Sequence, residues 1–231
     1  MRRFIVSVVC AVVLATFAAS ARAGDANPPG PNNPFAPWTR GDPFTTTSSF
    51  RFPTPGPAPE GWISNPTLPS SQILGGPGSV WLPGPPGTTY EGGVWCIENT
   101  ATGPGFLDIL IPNYHRPDPK IVYVQFKFFG GVPKFDVFDP SNPPPNGPTG
   151  VPWTTLTPTP SPVPGGPAGL AQISYSLCFP YNPQAEIVRI MSNGTAPTYI
   201  DQLVIDTLCT PAPGAGALLA IGVLAAARRR R

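Results

Sequence analysis

Between residues 90 and 209 the apolar positions recur with a period of two, the signature of strands with one buried face. Val94-Trp-Cys-Ile97 opens the series, and Phe106-Leu-Asp-Ile-Leu-Ile111 follows. In Lys120-Ile-Val-Tyr-Val-Gln-Phe-Lys-Phe-Phe129, Gln125 and Lys127 alternate with aromatic neighbours. Lys134–Phe138, Leu170–Phe179, Ala185–Met191 and Thr198–Thr207 complete seven predicted strands, with an eighth expected around Trp153–Leu156. β-Branched and aromatic residues fill these runs, and Gly, Pro or Asn bound them. No segment between the chain ends sustains a 3.6-residue period, so helices are not expected there.

Proline sharpens the boundaries, because it removes a ladder donor and breaks helix interiors. Of 37 prolines in 231 residues, sixteen fall between Asp25 and Tyr90 and eleven between Pro140 and Pro167. The first stretch reads as an irregular, polyproline-rich arm over residues 24–89, and the second as a long loop, 140–167, inside the folded region. Aromatics scattered along the arm (Phe35, Trp38, Phe44, Trp62) offer a second reading, in which it is pinned across a sheet. The expected fold is all-β: an antiparallel sandwich over residues 90–209, long enough for one core.

The last of these strands, Tyr199-Ile-Asp-Gln-Leu-Val-Ile205, resembles the terminal strand of galactose-binding-like jelly rolls. That resemblance implies that the sandwich is jelly-roll-like, with eight strands, and, in many relatives, carbohydrate binding at an edge or face. It also makes Asp201 a weak calcium candidate, although an ion pair or a turn cap is the favoured explanation for an aspartate there.

The chain ends carry addresses. Met1-Arg-Arg precedes an apolar run that closes on Ala21-Arg22-Ala23, so signal peptidase is expected to cut between Ala23 and Gly24. At the other end, Pro211-Ala212-Pro213-Gly214 precedes an apolar stretch and the four arginines Arg228, Arg229, Arg230 and Arg231. The arginines stay on the cytoplasmic side, which places everything before them outside. Ala215–Ala227 makes about 20 Å of helix at 1.5 Å per residue, short for a hydrocarbon core of about 30 Å. This tail resembles the PEP-CTERM sorting signal of bacterial surface proteins. The resemblance implies an exosortase-type membrane protease as partner, a transient membrane anchor and cleavage near Pro211–Pro213, with Ala212 where that family usually has Glu. A plain transmembrane anchor is the competing reading of the same residues.

Removing both ends reverses the charge. The full chain carries 14 basic and 12 acidic residues. Seven of the basic ones (Arg2, Arg3, Arg22 and Arg228 to Arg231) lie in the two ends and none of the acidic ones does, so the mature part is 7 − 12 = −5. A nucleic-acid partner loses its electrostatic support.

Chemistry-bearing residues are sparse. Three cysteines remain after processing, Cys96, Cys178 and Cys209, in a compartment that permits disulfides. Pairing of Cys96 with Cys209 is expected first, on the premise that the first and last strands are antiparallel neighbours, with Cys178–Cys209 as the second option. His115, the sole histidine, sits in a turn-rich connector and reads as solvated. Asp136 and Asp139 suggest at most a weak calcium loop, and no other metal or cofactor is expected. Asn193-Gly-Thr195 reads as a hairpin turn. No nucleophile elbow, zinc-protease motif or phosphate loop is present, so no catalytic residue is expected.

Two readings of function follow: a non-enzymatic, exported surface or matrix protein, or a secreted carbohydrate-binding module. In the second, Trp81, Trp95 or Trp153 would stack against a surface polysaccharide. A core position is the alternative for each tryptophan, most of all for Trp95.

Overall fold

The computed structural model describes residues 39–65, 67–86, 93–114, 120–141, 160–179, 183–192 and 194–209. Their regular structure is all strand: β1 (Thr45–Phe50), β2 (Gly61–Asn65), β3 (Gln72–Gly75), β4 (Ser79–Leu82), β5 (Val94–Ile97), β6 (Phe106–Pro112), β7 (Lys120–Gly130), β8 (Pro133–Phe138), β9 (Ser161–Pro162), β10 (Ala171–Phe179), β11 (Ala185–Ser192) and β12 (Thr198–Cys209). Among these residues no helix is long and apolar enough to cross a membrane. The signal-peptide and tail helices, His115, Trp153, the expected strand beside it and Asn193 lie outside the described residues.

Two antiparallel sheets share one core. The larger runs β2-β1-β12-β7-β10-β9, with β5 also paired to β12 and β4 to β5; the smaller runs β3-β6-β11-β8. Alternation decides what faces inward. Val122, Val124, Phe126 and Phe128 of β7 meet Ile109 of β6 and Val188 and Ile190 of β11 in one apolar cluster. Phe126, Phe135 and Tyr175 pack as mutually tilted rings, with centroids 4.9 to 6.2 Å apart. Tyr175 donates its hydroxyl hydrogen to the carbonyl of Pro133 at 3.0 Å, which ties the two sheets together by a polar contact.

β12 is the axis of the larger sheet, and its own sequence sets an odd demand. Ile200 and Leu203 are both fully buried in the core, yet residues three apart point to opposite faces of a regular strand. The register against β7 slips between Ile200 and Gln202, so that one extra residue, Asp201, restores the inward phase. The same break divides the other edge of β12. β5 pairs with Thr198 to Ile200, and β1 pairs with Leu203 to Leu208.

The seven strands expected from period-two alternation are all present within two residues of their expected bounds. The arm is where expectation and structure part. Residues 24–89 were expected to be irregular, but four strands fall between Thr45 and Leu82. Thr45-Thr-Thr-Ser-Ser-Phe50 is proline-free, so every residue can join a ladder, and β1 enters the interior of the sheet between β2 and β12. Two of its hydroxyls bond to β12: Thr46 Oγ1 lies 2.6 Å from Thr207 Oγ1, and Thr47 Oγ1 donates to Asp206 Oδ1 at 2.6 Å. The preceding turn returns Arg40 to the same carboxylate, at 2.8 and 2.7 Å, with both side chains fully buried. The arm's aromatics are thus pinned across the sheet from Phe44 onward. The loop 140–167 likewise contains a strand, the two-residue β9 on the edge of β10.

Backbone geometry at the ends of β1 is unusual for bulky residues. Phe44 and Phe52 take φ of 65° and 58°, a conformation that costs an L-residue roughly 1–2 kcal/mol. At Phe52 the surroundings hold it there: the ring is buried against Phe50, and its carbonyl accepts the Trp81 indole N–H at 2.8 Å. Gly93 must be glycine, since a Cβ would meet that same carbonyl at 1.9 Å.

Candidate functional site

The face of the larger sheet turned away from the core carries the least expected chemistry. Cross-strand register places Gln172 of β10, Lys127 of β7 and Gln202 of β12 in one row. Ser174, Gln125, Val204 and Ser49 form the next row, from β10, β7, β12 and β1. Strand and residue spacings make this patch about 14 Å wide and about 7 Å tall. The central residues Gln125, Lys127, Gln172, Ser174, Gln202 and Val204 line a shallow depression.

Gln125 is 5% exposed and Gln202 is 7% exposed. Among the described residues, both the Nε2 and Oε1 of Gln125, the Oε1 of Gln172, the Nε2 of Gln202 and the Oγ of Ser49 lack a hydrogen-bond partner. A buried amide or hydroxyl without a partner costs about 1–3 kcal/mol, so these groups are destabilising by themselves. They are nonetheless gathered on one surface by four strands, and the atoms include both donors and acceptors. Among the described residues lining the depression, Lys127 alone carries charge, and none is an acid, a histidine or a cysteine. The arrangement can hold a neutral, polyhydroxylated ligand through bidentate amide contacts, with one cation beside it.

The residues singled out in the sequence lie elsewhere. Trp81 and Trp95 are directly opposed on β4 and β5, half-buried and packed against the core cluster, so they seal the sandwich and offer no stacking platform. Asp136 lies on β8 in the smaller sheet, its Oδ1 accepting the Val137 N–H at 2.8 Å. Burial pushes its carboxyl pKa up, with that N–H and Arg189 pulling the other way. Asp139 accepts the backbone N–H and the hydroxyl of Ser141, at 2.8 and 2.6 Å, as a turn cap. Asp201 is the bulge residue of the other sheet. Among the described residues, no three His, Cys, Asp or Glu side chains converge as metal ligands, so the calcium candidates are not brought together.

The expected Cys96–Cys209 disulfide is corrected. β5 is indeed an antiparallel neighbour of β12, but at its first residues: Cys96 faces Tyr199, and Cys209 lies ten positions further along the strand. That is about 33 Å, against a Cα separation under about 7 Å for a disulfide. The Cys96 thiol is free and buried, and burial followed by the nearby Glu98 carboxylate pushes its pKa to about 11. Cys178 and Cys209 sit on strands flanking β7, opposite Ile121 and Lys120. Their backbones are therefore two strand spacings apart, about 9.6 Å, and the second pairing is also out of reach.

Sequence reasoning noted the polar Gln125 and Lys127 within an aromatic strand but did not join them to Gln172 and Gln202. The signal was a polar residue in mid-strand on three separate segments.

No protein-family model matches the chain, and no curated protein matches it. Among solved structures it is similar to a family 29 carbohydrate-binding module from Piromyces equi, at 9% identity and a TM-score of 0.35, over 70% of this chain and 90% of that one. It is similar to the adhesin domain of Lys-gingipain from Porphyromonas gingivalis W83, at 13% identity and a TM-score of 0.28, over 69% and 97% of the two chains. An isomalto-dextranase from Arthrobacter globiformis T6 matches at 8% identity and a TM-score of 0.31, over 72% of this chain and 33% of the enzyme.

Proposed function

We propose that the protein is an exported, non-enzymatic surface or matrix protein whose sandwich is a jelly-roll-like carbohydrate-binding module. One observation carries the binding reading: the amide of Gln125, 5% exposed, has no partner at either end among the described residues and lies one row from Gln172 and Gln202, whose amides are also incompletely satisfied. Sugar hydroxyls donate and accept, so a glycan satisfies Nε2 and Oε1 groups together, which neither an apolar ligand nor a simple anion does. A lining of amides and hydroxyls without an acid or a histidine supports binding without turnover. Export is supported by the Ala23–Gly24 cleavage signal, and sorting by the PEP-CTERM-like tail from Pro211 to Arg231. The acidic charge left after processing argues against nucleic acid.

The test is an array of immobilised polysaccharides (cellulose, mannan, galactan, dextran and a polyuronate) probed with the secreted full chain. Salt-insensitive retention on at least one neutral polysaccharide is expected. Failure to bind any of them, by a protein shown to be folded, overturns the binding reading and leaves the surface role to the chain ends alone.

A further inference from the structure

At the far end of β7 from the amide patch, three side chains from three segments are closed off from solvent. Lys120, the first residue of β7, and Glu186 of β11 are both 0% exposed, and Asn113, just after β6, is 7% exposed. The Lys120 ammonium donates to Glu186 Oε1 at 2.5 Å and also to the Asn113 Oδ1. Asn113 in turn donates its Nδ2–H to Glu186 Oε2 at 2.7 Å. The carboxylate therefore bridges the amine and the amide nitrogen, one oxygen to each. The Cys209 thiol faces the third corner, 4.0 Å from Asn113 Oδ1.

The backbone fixes all three. Lys120 is paired on both sides, with Phe179 and Cys209. The Asn113 N–H donates to the Gln184 carbonyl at 3.0 Å, which holds it beside the start of β11. The amine touches the amide oxygen, and Cγ lies one carbonyl bond, about 1.2 Å, behind it. The amine is thereby held near the roughly 3–3.5 Å separation from which nucleophilic attack proceeds.

We infer that Lys120 and Asn113 form an intramolecular isopeptide bond, with Glu186 as the proton carrier, and that this bond clamps the smaller sheet to the larger one. Glu186 takes a proton from the Lys120 ammonium. The freed Nζ lone pair attacks Asn113 Cγ, and the electron pair of the C=O moves onto Oδ1, toward the Cys209 thiol. Glu186 passes its proton to Nδ2, the electron pair on Oδ1 returns to re-form the C=O, the Cγ–Nδ2 bond breaks with its pair on nitrogen, and ammonia leaves. The remaining excess proton on the new amide nitrogen goes to Glu186, which ends protonated. No oxidant or co-reactant is needed. Burial favours each neutral product over the charged pair that precedes it, and burial is also the leading cause that raises the Glu186 pKa.

The test is peptide mapping of the folded, secreted full chain by mass spectrometry after denaturation and trypsin digestion. The expected result is a peptide that runs through Lys120 uncleaved, lighter than its sequence by one ammonia, with fragmentation absent between Asn113 and Lys120. A chain at full sequence mass that is cut after Lys120 overturns the inference, and this wild-type measurement decides without any variant. Succinimide formation at Asn113 also releases ammonia, so Lys120→Met and Glu186→Gln are mapped in parallel. Both are expected to retain the ammonia, and its loss from Lys120→Met overturns the isopeptide assignment.

Discussion

Gln125→Leu isolates the energetic cost of the amide patch. Gln125 sits in the centre of the large sheet with both amide atoms buried and, among the described residues, unpartnered. Leucine is close in volume, suits a sheet surface and brings no polar atom to desolvate. Removing one unsatisfied buried amide relieves roughly 1–3 kcal/mol, with some loss if the branched side chain packs less well than the straight one. The net expectation is a gain of about 1–2 kcal/mol, large against total stabilities of about 5–15 kcal/mol. Urea unfolding followed by tryptophan fluorescence reads this directly. With an m-value of about 2 kcal/mol/M, the midpoint should rise by roughly 0.5–1 M at unchanged slope. A fall in the midpoint by a similar amount refutes the reasoning, because it means that Gln125 is satisfied in the free protein and that no ligand is needed to account for it.

Further outcomes are expected. Cys96, its thiol pKa pushed to about 11, should alkylate with iodoacetamide at pH 8 on the order of a hundredfold more slowly in the folded chain than in urea; equal rates contradict its burial. Asp136 has its pKa raised above 3.8 in the folded state, so the native form holds more protons than the unfolded one and stability falls as pH rises through the window upward from 3.8. Urea midpoints of Asp136→Asn should therefore gain on the wild type as pH is raised from 4 to 7, and a widening in the opposite direction reverses the sign of the account. Truncation before Pro211 should send the protein into the medium; if truncated and full-length chains fractionate identically, the tail is not a sorting signal.

Much of the sandwich was legible because its strands are driven by local pattern. Alternation in Lys120–Phe129 and Ala185–Met191 states which residues face inward, and the turn residues around them state where each strand stops. β1 was missed for a compositional reason. The proline density of its surroundings outweighed a six-residue Thr/Ser run that is too polar to read as a buried strand. That run is held between β2 and β12, and its side-chain bonds to Thr207 and Asp206 reach more than 150 residues along the chain. The disulfide expectation failed on register: that β5 neighbours β12 is predictable, whereas which end it meets depends on β1 occupying the remainder of that edge. The amide patch is hidden by the same limit. Gln125, Gln172 and Gln202 are unremarkable one at a time, and only the pairing of β10 with β7 and of β7 with β12 makes them neighbours. The Lys120 cluster was equally invisible, since Glu186 joins it across the two sheets.

The central claim is that unpaired amides on one sheet face exist to hold sugar hydroxyls. Its most direct test is a binding titration of wild type and Gln125→Leu against whichever polysaccharide the array retains. The account predicts at least a tenfold weaker Kd for the variant, about 1.4 kcal/mol, in a protein that is as stable as the wild type or more so. Equal affinity in the two chains would contradict it.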